Sequence, residues 1–319
     1  MKQQYTYNQG INFLRAVAIL GIVAYHVFPY TVRGGFLGVC IFFLISGYLA
    51  ARQSQVSWAN EEFSFKTYYI KKFKRIYPSL YVMVMSVIAF FTLFHRELLL
   101  GAREETASIF LGVNNWWQMA THASYFLSIT EHSPFTHLWY MGVQIQMLIL
   151  WPILFWIFRK LSEKKIGKHS VWMFVLLTVV SIGLMAFLYR PDNVNRIYYG
   201  TDTRAFAFFM GVILGLQEDT WKAHMPRWIT GLAGRIVVSL SLVITIVMFV
   251  VVDGQSPWLY RGGMAVISLF FGLLLFAMNC YQFQDTWLAK SRFFSYLGKH
   301  SYLIYLWHYP IVFVLMYLY

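Results

Sequence analysis

Nine apolar runs of helical length punctuate the 319-residue chain, at about 11–29, 36–50, 76–95, 137–158, 171–189, 204–217, 232–252, 262–280 and 296–318. A helix rises 1.5 Å per residue, so about 20 apolar residues cross the ~30 Å hydrocarbon core of a bilayer. Runs 36–50 and 204–217 fall short of that length. They are expected to extend into flanking residues, tilt, or re-enter. Segment 107–127 breaks the pattern: Ile109 to Val113 is apolar, but Asn114, Asn115 and Gln118 interrupt it. It reads as an interfacial helix outside the bilayer. The pattern predicts an all-α polytopic membrane protein of about nine to ten transmembrane helices. It forms one domain over 1–319, with no internal repeat or linker visible.

Composition agrees. The chain is 59% hydrophobic and 12% charged, where a soluble domain carries about 25% charged residues. Aromatic residues make up 20%, and Trp and Tyr suit the membrane interface. The net charge of +13 sits in segments between apolar runs, which speaks for topology and against nucleic-acid binding. With the N-terminus inside, eighteen Lys and Arg fall on the inner side and seven outside, Arg15 lying within the first run. That bias places the N-terminus and residues 51–75 and 159–170 in the cytoplasm, and nine spans leave Tyr319 outside. Cys40 and Cys280 both lie in apolar runs, without disulfide or metal-ligand spacing. The first run lacks a small-residue cleavage site and more spans follow, so it is not a cleavable signal peptide.

Ionisable groups inside apolar helices are costly and usually face a cavity or a partner. Arg15 and His26 are eleven residues, or three turns, apart on the first helix. They share nearly one face, roughly 16 Å apart. His26 is then a packing residue or one half of a functional pair with Arg15. In the second run, Gly34, Gly35, Gly38 and Gly47 permit close helix packing, and Ser46 stands where it can donate into a cavity. Lys71-Lys72-Phe73-Lys74-Arg75-Ile76-Tyr77-Pro78 opens the third helix. It is a positive-inside anchor or a clamp for the phosphates of an anionic donor. An outer set comprises His137, Gln144, Gln146, Tyr199, Asp202 and Arg204. Asp202 and Arg204 at a helix start can cap it and pair with each other. Trp307-His308-Tyr309-Pro310 puts a further His within a span, with Pro310 bending it.

Taken in order, these pieces resemble the integral-membrane acyltransferase 3 family along almost the whole chain. The resemblance rests on the Arg15 to His26 spacing, Gly38-Val39 to Ser46-Gly47, Arg75-Ile76-Tyr77-Pro78, and Thr136-His137-Leu138-Trp139. It continues with Gln146 and Trp151-Pro152, Thr201-Asp202-Thr203-Arg204, Leu297-Gly298-Lys299 and Tyr305-Leu306-Trp307-His308-Tyr309-Pro310. Asn115-Trp116-Trp117, Ser133-Pro134 and Tyr199 to Arg204 look most like the membrane domain of bacterial peptidoglycan O-acetyltransferases. The resemblance implies a multi-pass protein of the bacterial cytoplasmic membrane. It would move an acetyl group from cytoplasmic acetyl-CoA, without a metal, to a hydroxyl of an extracytoplasmic glycan. Carried over, His26 takes the acetyl group or acts as general base, and Arg15 binds donor phosphate or polarises the thioester. Lys72 and Arg75 hold CoA phosphates, Ser46 and Tyr199 join the catalytic set, and His137, Gln144, Gln146, Asp202, Arg204 and His308 line the acceptor side.

The sequence departs from the family pattern at two places. Cys40 stands where the family usually has Asp, and Gln144-Ile145 where it usually has an acidic pair or single Glu before Gln146. Many peptidoglycan enzymes add an extracellular esterase-like domain after the His308 motif, and no such domain is expected here. The acetyl group would then pass to a separate acceptor protein. Two other readings stay open: a catalytically impaired relative that serves envelope synthesis as a scaffold or regulator, motivated by Cys40, Gln144 and Ile145, and a transporter of a sugar intermediate. The missing inverted repeat counts against the transporter.

Overall fold

A computed structural model describes residues 8–99, 101–121, 133–163, 167–226, 231–281 and 283–318, and no strand occurs among them. Each of the nine apolar runs falls mostly within a long helix: α1 (Gln9–Val27), α2 (Gly38–Ala59), α3 (Phe65–Phe94), α6 (Trp139–Ser162), α7 (Trp172–Leu188), α9 (Thr201–Ala223), α10 (Leu232–Val251), α11 (Met264–Cys280) and α13 (Arg292–Leu318). Between them run the short helices α4 (Ala102–Phe110), α5 (Asn114–Ala120), α8 (Val194–Tyr199) and α12 (Trp287–Lys290).

The two short runs lengthen into ordinary helices. α2 continues to Ala59 and stops where Glu61 takes a positive φ of 58°. α9 starts after Gly200, whose extended backbone breaks it from α8. α3 begins well before its apolar run because the Ser64 hydroxyl caps it, accepting from the Thr67 amide. Among the described residues, six helical segments are long and apolar enough to cross a membrane: Gln9–Val27, Gly35–Ala59, Phe65–Phe94, Thr136–Ser162, Leu232–Val251 and Leu259–Cys280. The chain is therefore a multi-pass helical membrane protein. α7 has 17 residues, and α9 and α13 carry charged residues along their length. Segment 107–127 is two helices rather than one, because Gly112, with φ 71°, ends the path of α4 before α5 begins. Its residues 122–127 lie outside the described residues, as do Lys2, Lys164, Lys165 and Arg227 of the charge count.

Glycine sets how the helices approach. Where α2 crosses α9, a methyl group on Gly47 would lie 1.9 Å from the Phe208 carbonyl oxygen, and one on Gly211 1.9 Å from that of Leu44. Only a missing side chain on both helices allows this contact. Gly298 of α13 meets Asn12 of α1 in the same way, at 2.0 Å from its carbonyl oxygen. Overpacking a core costs about 1–3 kcal/mol, and more where backbone must move. Gly47→Leu is accordingly expected to lower the thermal unfolding midpoint in detergent by several degrees. Gly183, with open space around it, is the control: Gly183→Ala is expected to leave the midpoint unchanged or raise it.

Away from His26, the bundle is tied by a buried carboxylate. Glu218 of α9 accepts from Tyr48 of α2 at 2.6 Å and from the Asn279 amide of α11 at 2.7 Å, and pairs with Lys222 at 2.8 Å. Asn8, the cap of α1, donates to Asn279 at 2.9 Å. Three helices meet at Glu218, and Asn279 links α1 to them through Asn8.

Candidate active site

A cavity of about 120 Å³ opens among α1, α2, α3, α6 and α13. Arg15, Lys72 and Arg75 line it, as do Ser46 and Gln144. Lys72 and Arg75 reach it because α3 starts early: positions 72 and 75 share one face, three residues apart. The Gln144 amide donates to Ser46 Oγ at 2.5 Å, and Tyr140 donates to Gln144 Oε1 at 3.2 Å. Ser46 accepts in that bond, so its own proton remains available to a bound molecule. Three cations around one cavity favour an anionic ligand, phosphate above all.

Three histidines cluster beyond the cavity. The His26 and His308 rings lie 5.0 Å apart and those of His137 and His308 5.5 Å apart. Tyr309 stacks on His137 at 4.9 Å and meets His26 edge-on at 5.0 Å. All three imidazoles are buried.

Hydrogen-bond geometry shows which ring nitrogens stand as donors and which as acceptors. His308 Nδ1 lies 2.7 Å from the Tyr305 carbonyl oxygen, so it carries the proton and donates. His308 Nε2 is then an acceptor, 3.2 Å from His26 Nδ1. His26 Nδ1 also faces the Ile22 carbonyl oxygen at 2.9 Å, so its proton is shared between the two. The lone pair of His26 therefore sits on Nε2, the atom a nucleophile or base uses. In His137, Nε2 donates to Leu306 at 3.1 Å, and Nδ1 is buried without a partner among the described residues.

Cavity and cluster follow the same order on three helices. On α1, Arg15 precedes His26. On α13, Ser301, Tyr302 and Tyr305 precede His308. On α6, which runs the opposite way, Gln144, Met141 and Tyr140 follow His137. Tyr140 and Tyr305, edge-on at 5.1 Å, form the layer between.

The remaining expected residues spread around the cluster. Tyr199 on α8 is buried and packs against Trp139 at 5.5 Å. The expected pairing of Asp202 with Arg204 does not form. Residues two apart on a helix point in different directions. Asp202 instead takes a two-point ion pair from Arg196, at 3.0 and 2.7 Å. Arg204 turns inward, 1% exposed. Its guanidinium lies over the rings of Tyr198 and Trp139, touches Met264 sulfur, and stands 3.7 Å from Cys40 Sγ. Its Nε has no partner, and no carboxylate pairs with it among the described residues. Gln146 is not brought to the cavity. It donates to Gly112 and Asn115 at 2.8 Å each and accepts from Thr201 and Trp116 at 2.6 and 3.2 Å. It pins α5 to α6 and α9.

Tyr140, Ser301 and Tyr302 did not stand out in the sequence, and Tyr305 and Tyr309 stood there only within the motif around His308, without a site role. The signal was present: Ser301, Tyr305 and His308 fall at i, i+4 and i+7, one face of α13. Glu105 on α4 did not stand out either. Glu105 is buried, accepting from Gln118 at 2.8 Å and from Ser133. Burial raises its carboxyl from 4.5 to about 7, and the hydrogen bonds offset part of the rise. A carboxyl raised on folding favours the folded arrangement at low pH, and that support is lost as pH rises through about 7. Amide exchange of residues 102–120, corrected for intrinsic rates, is expected to quicken between pH 5 and pH 8. Glu105→Gln is expected to remove that dependence.

Fold and site together define a multi-pass helical membrane protein with a cation-lined cavity and, across Tyr140 and Tyr305, a cluster of buried imidazoles. The chain belongs to the family described as "Acyltransferase domain", whose model matches residues 8–319. Its relatives include the peptidoglycan O-acetyltransferase OatA of Listeria monocytogenes, 32% identical over 315 residues, 96% of this chain and 49% of the relative. The putative peptidoglycan O-acetyltransferase YrhL of Bacillus subtilis is 33% identical over 316 residues, 97% of this chain and 49% of the relative. A putative O-acetyltransferase of Staphylococcus aureus, SAS0844, is 31% identical over 312 residues, 96% of this chain and 51% of the relative. The chain thus spans about half the length of these relatives. No solved structure matches it.

Proposed function

We propose that the protein is a transmembrane O-acetyltransferase that takes an acetyl group from cytoplasmic acetyl-CoA and delivers it to a hydroxyl of a cell-envelope glycan outside. The observation that carries this reading is the shared order on α1, α6 and α13, from a cavity with Arg15, Lys72 and Arg75 to His26. The arrangement fits a donor with phosphates at one end and a reacting group at the other. The relatives' names supply the glycan. On this reading the N-terminus is cytoplasmic, nine helices span the cytoplasmic membrane, and residues 1–319 act as one domain. A separate extracytoplasmic protein is a fitting intermediate acceptor.

Chemically, His26 Nε2 attacks the thioester carbonyl carbon, the C–S bond breaks, and CoA leaves as the thiolate. The resulting acyl-imidazolium passes its Nδ1 proton to His308 Nε2 and from there to water, and the thiolate takes a proton from water. The acceptor hydroxyl then attacks the acyl carbon and returns its proton to the ring. In the alternative route, Nε2 takes the hydroxyl proton as general base while the acceptor attacks the thioester directly. Rapid quenching with labelled acetyl-CoA separates the two, since only the first leaves label on the protein.

The decisive experiment is acetyl-CoA binding to detergent-purified protein. Lys72→Ala and Arg75→Ala are each expected to weaken it about tenfold, a value typical of one charge-assisted hydrogen bond. Unchanged affinity in both variants would remove the donor site from this cavity. A second reading, a catalytically impaired relative acting as scaffold, is favoured by Arg204 facing Cys40 rather than a carboxylate. It is the reading that survives if the wild type folds and binds no donor.

A further inference from the structure

We infer that Tyr305, braced edge-on by Tyr140, fixes the length of acyl chain that can pass from the cavity to His26. This rests on the acyl-transfer reading above and assigns the specificity of that site.

Tyr305 lines the cavity, and its ring also touches the histidines, 5.4 Å from His137 and 5.6 Å from His308. Its hydroxyl donates to the His137 carbonyl oxygen. That bond ties α13 to the start of α6 and fixes the ring between the cavity and the histidines. The hydroxyl is thereby committed to backbone, so the ring does the work. Tyr140 stands 5.1 Å away at 67° and is itself held by Gln144. Two anchored phenols in contact leave little room for chain extension. A two-carbon acyl group presents only a methyl beyond its carbonyl. Each further methylene must displace a ring or lose its place, and an apolar pocket discriminates one methylene by on the order of 10–200-fold.

The test compares wild type, Tyr305→Phe, Tyr305→Leu and Tyr305→Ala in liposomes containing envelope glycan. CoA release is followed from acetyl-, butyryl- and hexanoyl-CoA. The readout is the ratio of kcat/KM values within one sample, which does not depend on how much of a variant folds. Wild type is expected to favour acetyl over butyryl by tenfold or more. Tyr305→Phe keeps the ring, so its preference stays near wild type even where its rate falls. Tyr305→Leu and Tyr305→Ala are expected to move the ratio toward butyryl by at least tenfold, alanine further. A wild-type ratio in both, at measurable turnover, overturns the inference and leaves acyl transfer standing. A Tyr305→Ala that fails to fold leaves Tyr305→Leu to decide, with Tyr140→Leu opening the same layer from α6. Wild type that turns over none of the three thioesters overturns the acyl-transfer reading and this inference with it.

Discussion

Replacing His26 by alanine is expected to abolish acetyl transfer while leaving donor binding intact. His26 sits beyond the tyrosine layer, whereas Arg15, Lys72 and Arg75 line the cavity itself. The loss should reach on the order of 10²–10⁴ if His26 is a general base, and more if it is the nucleophile. Arg15→Ala separates the roles in the opposite sense, since binding should fail first. His308→Ala tests the tautomer argument. Without the acceptor at His308 Nε2, the His26 proton keeps only the Ile22 carbonyl, and the rate should fall less than in His26→Ala. Measured side by side, equal acetyl transfer in wild type and His26→Ala would end the assignment.

Cys40→Asp is the second large effect, and its expected direction is a gain. An arginine enclosed without a carboxylate is costly, because the surrounding rings and sulfurs replace its hydration only in part. The desolvation of Arg204 is already met by the rest of the fold. An Asp at position 40, where Sγ now lies 3.7 Å from Arg204, would add charge-assisted hydrogen bonds. Breaking a buried pair costs about 3–5 kcal/mol, so creating one next to a standing cation is expected to stabilise by up to about 3 kcal/mol. Thermal unfolding in detergent reads this directly, with Cys40→Ala as the control for volume. A midpoint lowered by Asp and unchanged by Ala would show that Arg204 is adequately compensated as it stands.

The helices were legible because lipid imposes one long period on the sequence, and each apolar run falls mostly within a long helix. Their ends were less so. The early start of α3 depends on the Ser64 cap, and the extension of α2 and α9 on amphipathic residues that no apolar run marks. Arg15, Lys72 and Arg75 stood out as charges in or beside apolar stretches, and the cavity gathers them. The tyrosines did not, since 22 of them are spread along the chain and an interfacial role covers most. The partners of Arg204 could not be read from neighbours in sequence. Cys40 lies 164 positions away, and only the glycine-mediated crossing of α2 and α9 brings them together. Glu105 lay hidden in a short polar segment whose folding depends on Gly112 and on Gln146, more than thirty residues downstream.

Arg15 and His26 belong to one unbroken helix, and that makes α1 a ruler. Three turns set roughly 16 Å between their backbone positions, and no domain motion alters that interval. On the proposed reading, the donor must be long and slender enough to reach from one mark to the other. Acetyl phosphate carries the same acyl group as acetyl-CoA, but a single bridging oxygen separates its carbonyl carbon from its phosphorus. It can occupy one mark or the other, never both.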